Sequence, residues 1–152
     1  MGLAVTRAII VLQGVQTVFI LLHDWVPLGS LSNLKAVQDA DSRGKLAWTT
    51  LLSTLPFALV FGVSCAYWSA ARWPMWLQTW LWWTYGIALA GVLWAWWIPY
   101  LVRPDPERAR RYQVRFAGTP RFLPEHNGIA PDTLHVLYHS TVVATLILLA
   151  ML

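Results

Sequence analysis

Four long apolar runs, at about residues 3–22, 46–68, 76–101 and 133–152, dominate this chain, and nearly all of its charge lies between them. An α-helix rises about 1.5 Å per residue, so a run of some 20 residues reaches across a hydrocarbon core about 30 Å thick. In lipid, every backbone N–H and C=O must find a partner within the protein, so each run is expected to be helical. Composition agrees. Hydrophobic residues make up 57% of the chain and charged residues 12%, against about 25% charged in a soluble domain. Such a chain has too few polar groups to cover itself in water. The expected fold is an all-α membrane protein: one integral-membrane domain over residues 1–152, built as an up-down four-helix transmembrane bundle with short interfacial amphipathic helices. The first run contains Arg7 near its start and leads into His23, Asp24, Trp25, Val26 and Pro27 rather than a small-residue cleavage site, so it is expected to be a retained span.

Four spans put both termini on one side and both long loops on the other. The long loops hold Lys35, Arg43, Lys45, Arg103, Arg108, Arg110, Arg111, Arg115 and Arg121; the other side has Arg7 and Arg72. The positive-inside rule then predicts cytoplasmic long loops and both termini outside. The net charge of +4 fits anionic headgroups at the cytoplasmic face as partners. No motif or basic groove points to nucleic acid. Residues 103–121 carry Ala109, Tyr112 and Phe116 on one helical face with arginines elsewhere, the pattern of an interfacial helix. Leu31, Leu34, Val37 and Gln38 allow a second, shorter one.

Inside the spans, polar and small residues carry the information. Gln13, Gln16 and His23 share a face of the first helix, and polar groups at membrane depth should point into the bundle. They serve either as interhelical glue or as the lining of a polar cavity leading to His23. Ala58, Gly62, Ala66 and Ala70 form a strip that would let a neighbouring helix approach closely. Thr49, Thr50, Ser53 and Thr54 crowd the loop side of Pro56, where a kink is expected. The tryptophans from Trp73 to Trp97 fall in two groups, and Trp76 to Trp97 covers about 31 Å of helix, which reads as two interfacial belts. A stacking platform for a flat ligand is the alternative. Cys65 is the only cysteine; it excludes an intrachain disulfide and a multi-cysteine metal site, and is expected to be packed in the core.

The stretch Pro124–His139 holds three of the four histidines. Asp132, His135 and His139 fall on one helical face, and the span arrangement brings His23 to the same side. His139 lies about 12 Å deeper than Pro131 along a helix, and an ionisable residue at that depth marks a candidate functional site. Histidine exchanges protons near neutral pH, and a carboxylate fixes its tautomer. A cytoplasm-facing pocket follows as an expectation: His139 exchanging the proton, Asp132 orienting His135, and His23 completing the site. Gln13, Gln16, Asp24, Glu125 and His126 are its further lining. Acid/base chemistry on a lipophilic molecule from the bilayer is one reading. A non-catalytic accessory or scaffold subunit of a larger membrane complex is a second. A metal or haem site on His135, His139 and His23 is a third, although Val136 stands where a zinc-protease helix carries glutamate. No cofactor fingerprint is present, so the sequence requires none.

Overall fold

The structure, a computed structural model, describes residues 2–152. Among these the secondary structure is helical throughout, apart from one isolated bridge between His126 and Ile129. Three helices are long and apolar enough to cross a membrane: α1 (Gly2–Leu22), α3 (Arg43–Ala66) and the rod Met75–Leu101. The rod comprises α4 (Met75–Val92), a π-helical segment Leu93–Trp97 and α5 (Ile98–Leu101). A fourth apolar helix, α7 (Thr133–Leu149), is shorter at 17 residues, about 26 Å. Two polar-faced helices lie in the long loops, α2 (Leu34–Ala40) and α6 (Pro106–Arg115). Side-chain caps start the helices at the loop end: Asn33, Ser42, Asp105 and Asp132 each accept a bond from the backbone N–H three residues on.

Helix α1 lies between α3 and α7, α4 packs on α7, and the seam between α3 and α4 is the loosest of the four. The core is apolar, with Ile9, Val60, Leu77, Leu81, Tyr85 and Val142 fully buried. Of the small-residue strip, Gly62 and Ala66 on α3 are exposed, while Ala70, beyond the helix, packs on the core and its carbonyl accepts from Thr6 of α1. A Cβ at Gly62 would meet nothing within 4 Å, whereas α1 approaches at Gly14, whose added Cβ would lie 3.2 Å from the Phe61 ring. Phe57, Val60 and Ser64 are the buried face instead. Cys65 is exposed rather than packed. Its neighbour Ser64 takes the inward position.

Pro99 explains the most informative irregularity. Proline has no N–H to give the carbonyl one turn back, and its ring crowds that turn. The helix widens into the π segment just before it. The carbonyls that lose their usual partners are taken by α6. Arg108 donates to the Trp94 and Ala95 oxygens at 2.5 and 3.1 Å, and the Tyr112 hydroxyl donates to Ala95 at 3.1 Å. This anchor holds the apolar face of α6 against Trp96, with Tyr112 and Phe116 ring centroids 4.4 and 5.1 Å from the indole. The face expected to lie on lipid is thus largely occupied by the protein itself. Most tryptophans are exposed as belts require, including Trp76, Trp83 and Trp94, but Trp73 and Trp96 are buried.

Candidate functional site

Helices α2 and α6 form a cap over one end of the bundle. Arg115 of α6 holds it together: one guanidinium nitrogen donates to Asp24 at 2.7 Å and another to Asp41, which also pairs with Lys45. Asn33 donates to the Ala117 carbonyl at 2.8 Å. Beneath this cap, α1 ends at His23 and α7 begins at Asp132. Each end fixes one imidazole.

Asp132 has two tasks. One oxygen caps α7 by accepting from the His135 backbone N–H at 3.1 Å; the other lies 2.6 Å from His135 Nδ1. A carboxylate accepts, so the proton sits on Nδ1 and Nε2 is left as the basic nitrogen. No hydrogen bond reaches Nε2 from the described residues. Burial pushes the Asp132 carboxyl up, but the His135 side chain and backbone bonds outweigh it and hold it below the usual carboxylate range. His23 has the matching tautomer. Its Nδ1 donates to the Phe19 and Ile20 carbonyls, both at 3.1 Å, and its Nε2 lies 3.5 Å from Asp24. Burial pulls the imidazole below its ordinary value, against the opposing pull of Asp24.

The rings of His23 and His135 are 5.7 Å apart, and those of His135 and His139 are 6.1 Å apart. Trp96 packs at 4.7 Å from His135 and 5.9 Å from His139. Phe19 stacks on His23 at 4.8 Å. His139 is 4% exposed, and its Nδ1 is buried with no hydrogen-bond partner.

Two cavities meet at these rings. The larger, about 580 Å³, is apolar and runs between the helices from His23, His135 and His139 past Phe57, Gly91 and Tyr138. Leu52, Trp83 and Ile87 line it and are half or more exposed, so its mouth faces outward at the α3–α4 seam. The smaller, about 320 Å³, lies under the cap and is lined by Asp24, Asp41, Lys45, Arg111 and Arg115. Ile20, His23, Ser53, Trp96 and His135 belong to both walls.

The remaining candidates lie elsewhere. Gln16 is deep in the bundle and fully satisfied: its amide donates to Thr141 and Thr145, and Tyr85 donates to its oxygen at 2.5 Å. Gln13, one turn away, is fully buried with both amide atoms unpartnered. Neither lines a cavity at the histidines. His126 donates to the Tyr100 carbonyl and packs on that ring, closing the loop before α7. Glu125 is exposed and lines neither cavity. Among the described residues no three His, Cys, Asp or Glu side chains converge as a metal-ligand set. Sequence reasoning missed Trp96, Tyr138, Lys45, Arg111 and Arg115 as site residues. Trp96 was hidden among the other tryptophans; its position three residues before Pro99 was the available signal. Comparison with protein-family models, with curated proteins and with solved structures finds no match to this chain.

Proposed function

We propose that this chain is a multi-pass membrane enzyme that moves protons on a lipophilic molecule entering from the bilayer. In this reading α7 crosses the membrane with the other three apolar helices, making a four-helix bundle. The arginine-rich cap faces the cytoplasm and both termini lie outside. The observation that carries the proposal is the Asp132–His135 pair, which leaves Nε2 without a partner in the wall of an apolar cavity of about 580 Å³. A pocket of that size, apolar with a few convergent polar groups, is the ordinary form of a small-molecule site. A tautomer-fixed histidine beside a carboxylate is the ordinary form of a general base.

His135 is the proposed base and His23 the second proton carrier. His135 Nε2 takes a proton from the substrate and, after exchange with water, returns one to it, with His23 Nε2 beside Asp24 as a neighbouring acceptor, so the step balances with no reactant but solvent. Depth along α7 favoured His139 for this role; geometry favours His135, because His139 has no carboxylate to set its tautomer. His139 then shapes the cavity wall. The test is solvent exchange. Purified protein in bilayer nanodiscs with a total lipid extract is placed in D₂O, and the lipids are read by mass spectrometry. One lipophilic species should gain deuterium at carbon with wild type and not with His135→Asn. No species labelled above a protein-free control, or equal labelling by His135→Asn, would overturn the proposal.

A further inference from the structure

The two cavities differ in chemistry and share one wall. Above the wall lie three cations, Lys45, Arg111 and Arg115, against two carboxylates, Asp24 and Asp41. Arg115 and Lys45 are spent on those carboxylates. Arg111 forms no ion pair among the described residues; its guanidinium only overlies the Tyr112 ring at 5.9 Å. One cation therefore stands unmatched in a polar recess of about 320 Å³. Below the wall, the larger cavity offers hydrocarbon, aromatic rings and an open seam. A molecule that fills both must be charged at one end and apolar along the other.

We propose that the substrate is an amphiphile with an anionic head, phosphate or carboxylate, held at Arg111 and an apolar body in the α3–α4 cavity. This rests on the reading of the site as a substrate site and names its substrate class. The junction between head and body then falls at the shared wall, against His23 and His135, so the reacting atoms are those next to the head. Arg111 is suited to this role because a guanidinium matches a carboxylate or phosphate with two parallel N–H bonds. Being exposed, it can take its ligand without breaking the Arg115 bracket that holds the cap.

The test measures equilibrium binding to wild-type protein in phosphatidylcholine nanodiscs, with uptake by empty nanodiscs subtracted. The tritiated probes are dodecyl phosphate, laurate, dodecyltrimethylammonium and dodecanol, with inorganic phosphate as a competitor. Both anionic probes should bind at least about tenfold more tightly than the ammonium probe, the scale of one matched charge. Arg111→Gln should remove most of that preference and leave dodecanol binding unchanged, while Arg111→Lys should retain part of it. Gly91→Leu reads the body. A Cβ there meets nothing within 4 Å and Gly91 lines the cavity, so the larger side chain should weaken every probe without disturbing the fold. Inorganic phosphate at matched concentration should not displace the amphiphiles. Equal binding of anionic and cationic probes, or an unchanged preference in Arg111→Gln, would overturn the head assignment and leave the proton-transfer reading standing. No saturable binding of any probe, or binding indifferent to Gly91→Leu, would overturn both.

Discussion

His135 and His139 sit one turn apart on the same face of α7, yet they are built differently. His135 has a carboxylate at 2.6 Å, a fixed tautomer, and a place in the walls of two cavities. His139, about 6 Å deeper along the axis, is nearly buried and its Nδ1 has no partner. Depth made His139 the stronger candidate in the sequence. Partners make His135 the stronger one in the structure. A buried polar atom without a partner is a cost of about 1–3 kcal/mol, and it gives a proton no defined route. A half-buried imidazole with a capping carboxylate is pre-oriented, and its free nitrogen is determined by the bond the other nitrogen makes.

The largest expected effect separates the two histidines directly. Loss of His135 as a general base should lower turnover by about 10²–10⁴-fold. His135→Asn, assayed by deuterium uptake, should show this while a cooperative thermal transition confirms that the fold is kept. His139→Leu should stay within a few-fold of wild type. If the two variants exchange outcomes, the comparison is inverted and depth was the better guide.

Asp132 allows the cap and the partner to be separated. Asparagine caps a helix about as well as aspartate, so Asp132→Asn should keep the cap and lose only the stability of the carboxylate's pairing with His135, while turnover falls. Asp132→Ala should lose turnover and also about 1 kcal/mol of stability. Equal turnover in wild type and Asp132→Asn would show that the carboxylate does not set the working tautomer of His135.

The same contrast recurs on α1. Gln16 is engaged on both sides of its amide and Gln13 on neither. Gln16→Leu should destabilise the bundle by about 0.6 kcal/mol, the mean for interhelical hydrogen bonds in membranes, and by no more than about 1.7. The loss falls mainly on Tyr85, because Thr141 and Thr145 keep bonds to carbonyls of their own helix. Gln13→Leu should be neutral or stabilising, as should His139→Leu, by removing an unpartnered group. Denaturation in a fixed detergent would check the signs. A large loss in Gln13→Leu would mean that this amide is satisfied in the folded protein.

The helices themselves were legible because lipid-length apolar runs and Pro, Gly and Asp at their ends are local signals. The runs near 3–22 and 76–101 each fall within about a residue of the corresponding helix. Helix α3 begins and ends two to three residues before the apolar run at 46–68, since Ser42 caps it ahead of the charged Arg43 and Lys45. The relation between His23 and His135 was legible in outline, because two long apolar helices, out and back, separate those ends. Trp96, Arg115 and Arg111 were not. Their roles come from Pro99, which frees the Trp94 and Ala95 carbonyls, and from the way α6 then folds over the bundle to reach them. That coupling joins residues 13 or more apart through backbone atoms, and backbone carbonyls leave no mark in an amino-acid pattern. Cys65 and the small-residue strip failed for a related reason: periodicity gives a face, but not which face a neighbour takes.

Acid should produce the smallest effect, and it tests the cap and the His135 partner together. Asp132 and Asp41 are both held below the ordinary carboxylate range. At each, burial pushes the other way and is outweighed, by His135 for Asp132 and by Lys45 and Arg115 for Asp41. A carboxyl whose folded value is depressed contributes stability above its unfolded value, near about 4. That contribution is lost as pH falls through the folded value. Unfolding midpoints should therefore begin to fall below about 6.5, where burial makes His23 harder to charge in the folded chain than in the unfolded one, and fall further below about 4 as the two carboxylates protonate. Asp132→Asn should flatten part of this decline, and Asp41→Asn a smaller part, since Asp41 is closer to solvent and its pairs are screened. A decline that is unchanged in the double variant would place the acid-sensitive contacts elsewhere, and the Asp132–His135 pair would lose its standing as the feature that sets His135 apart from His139.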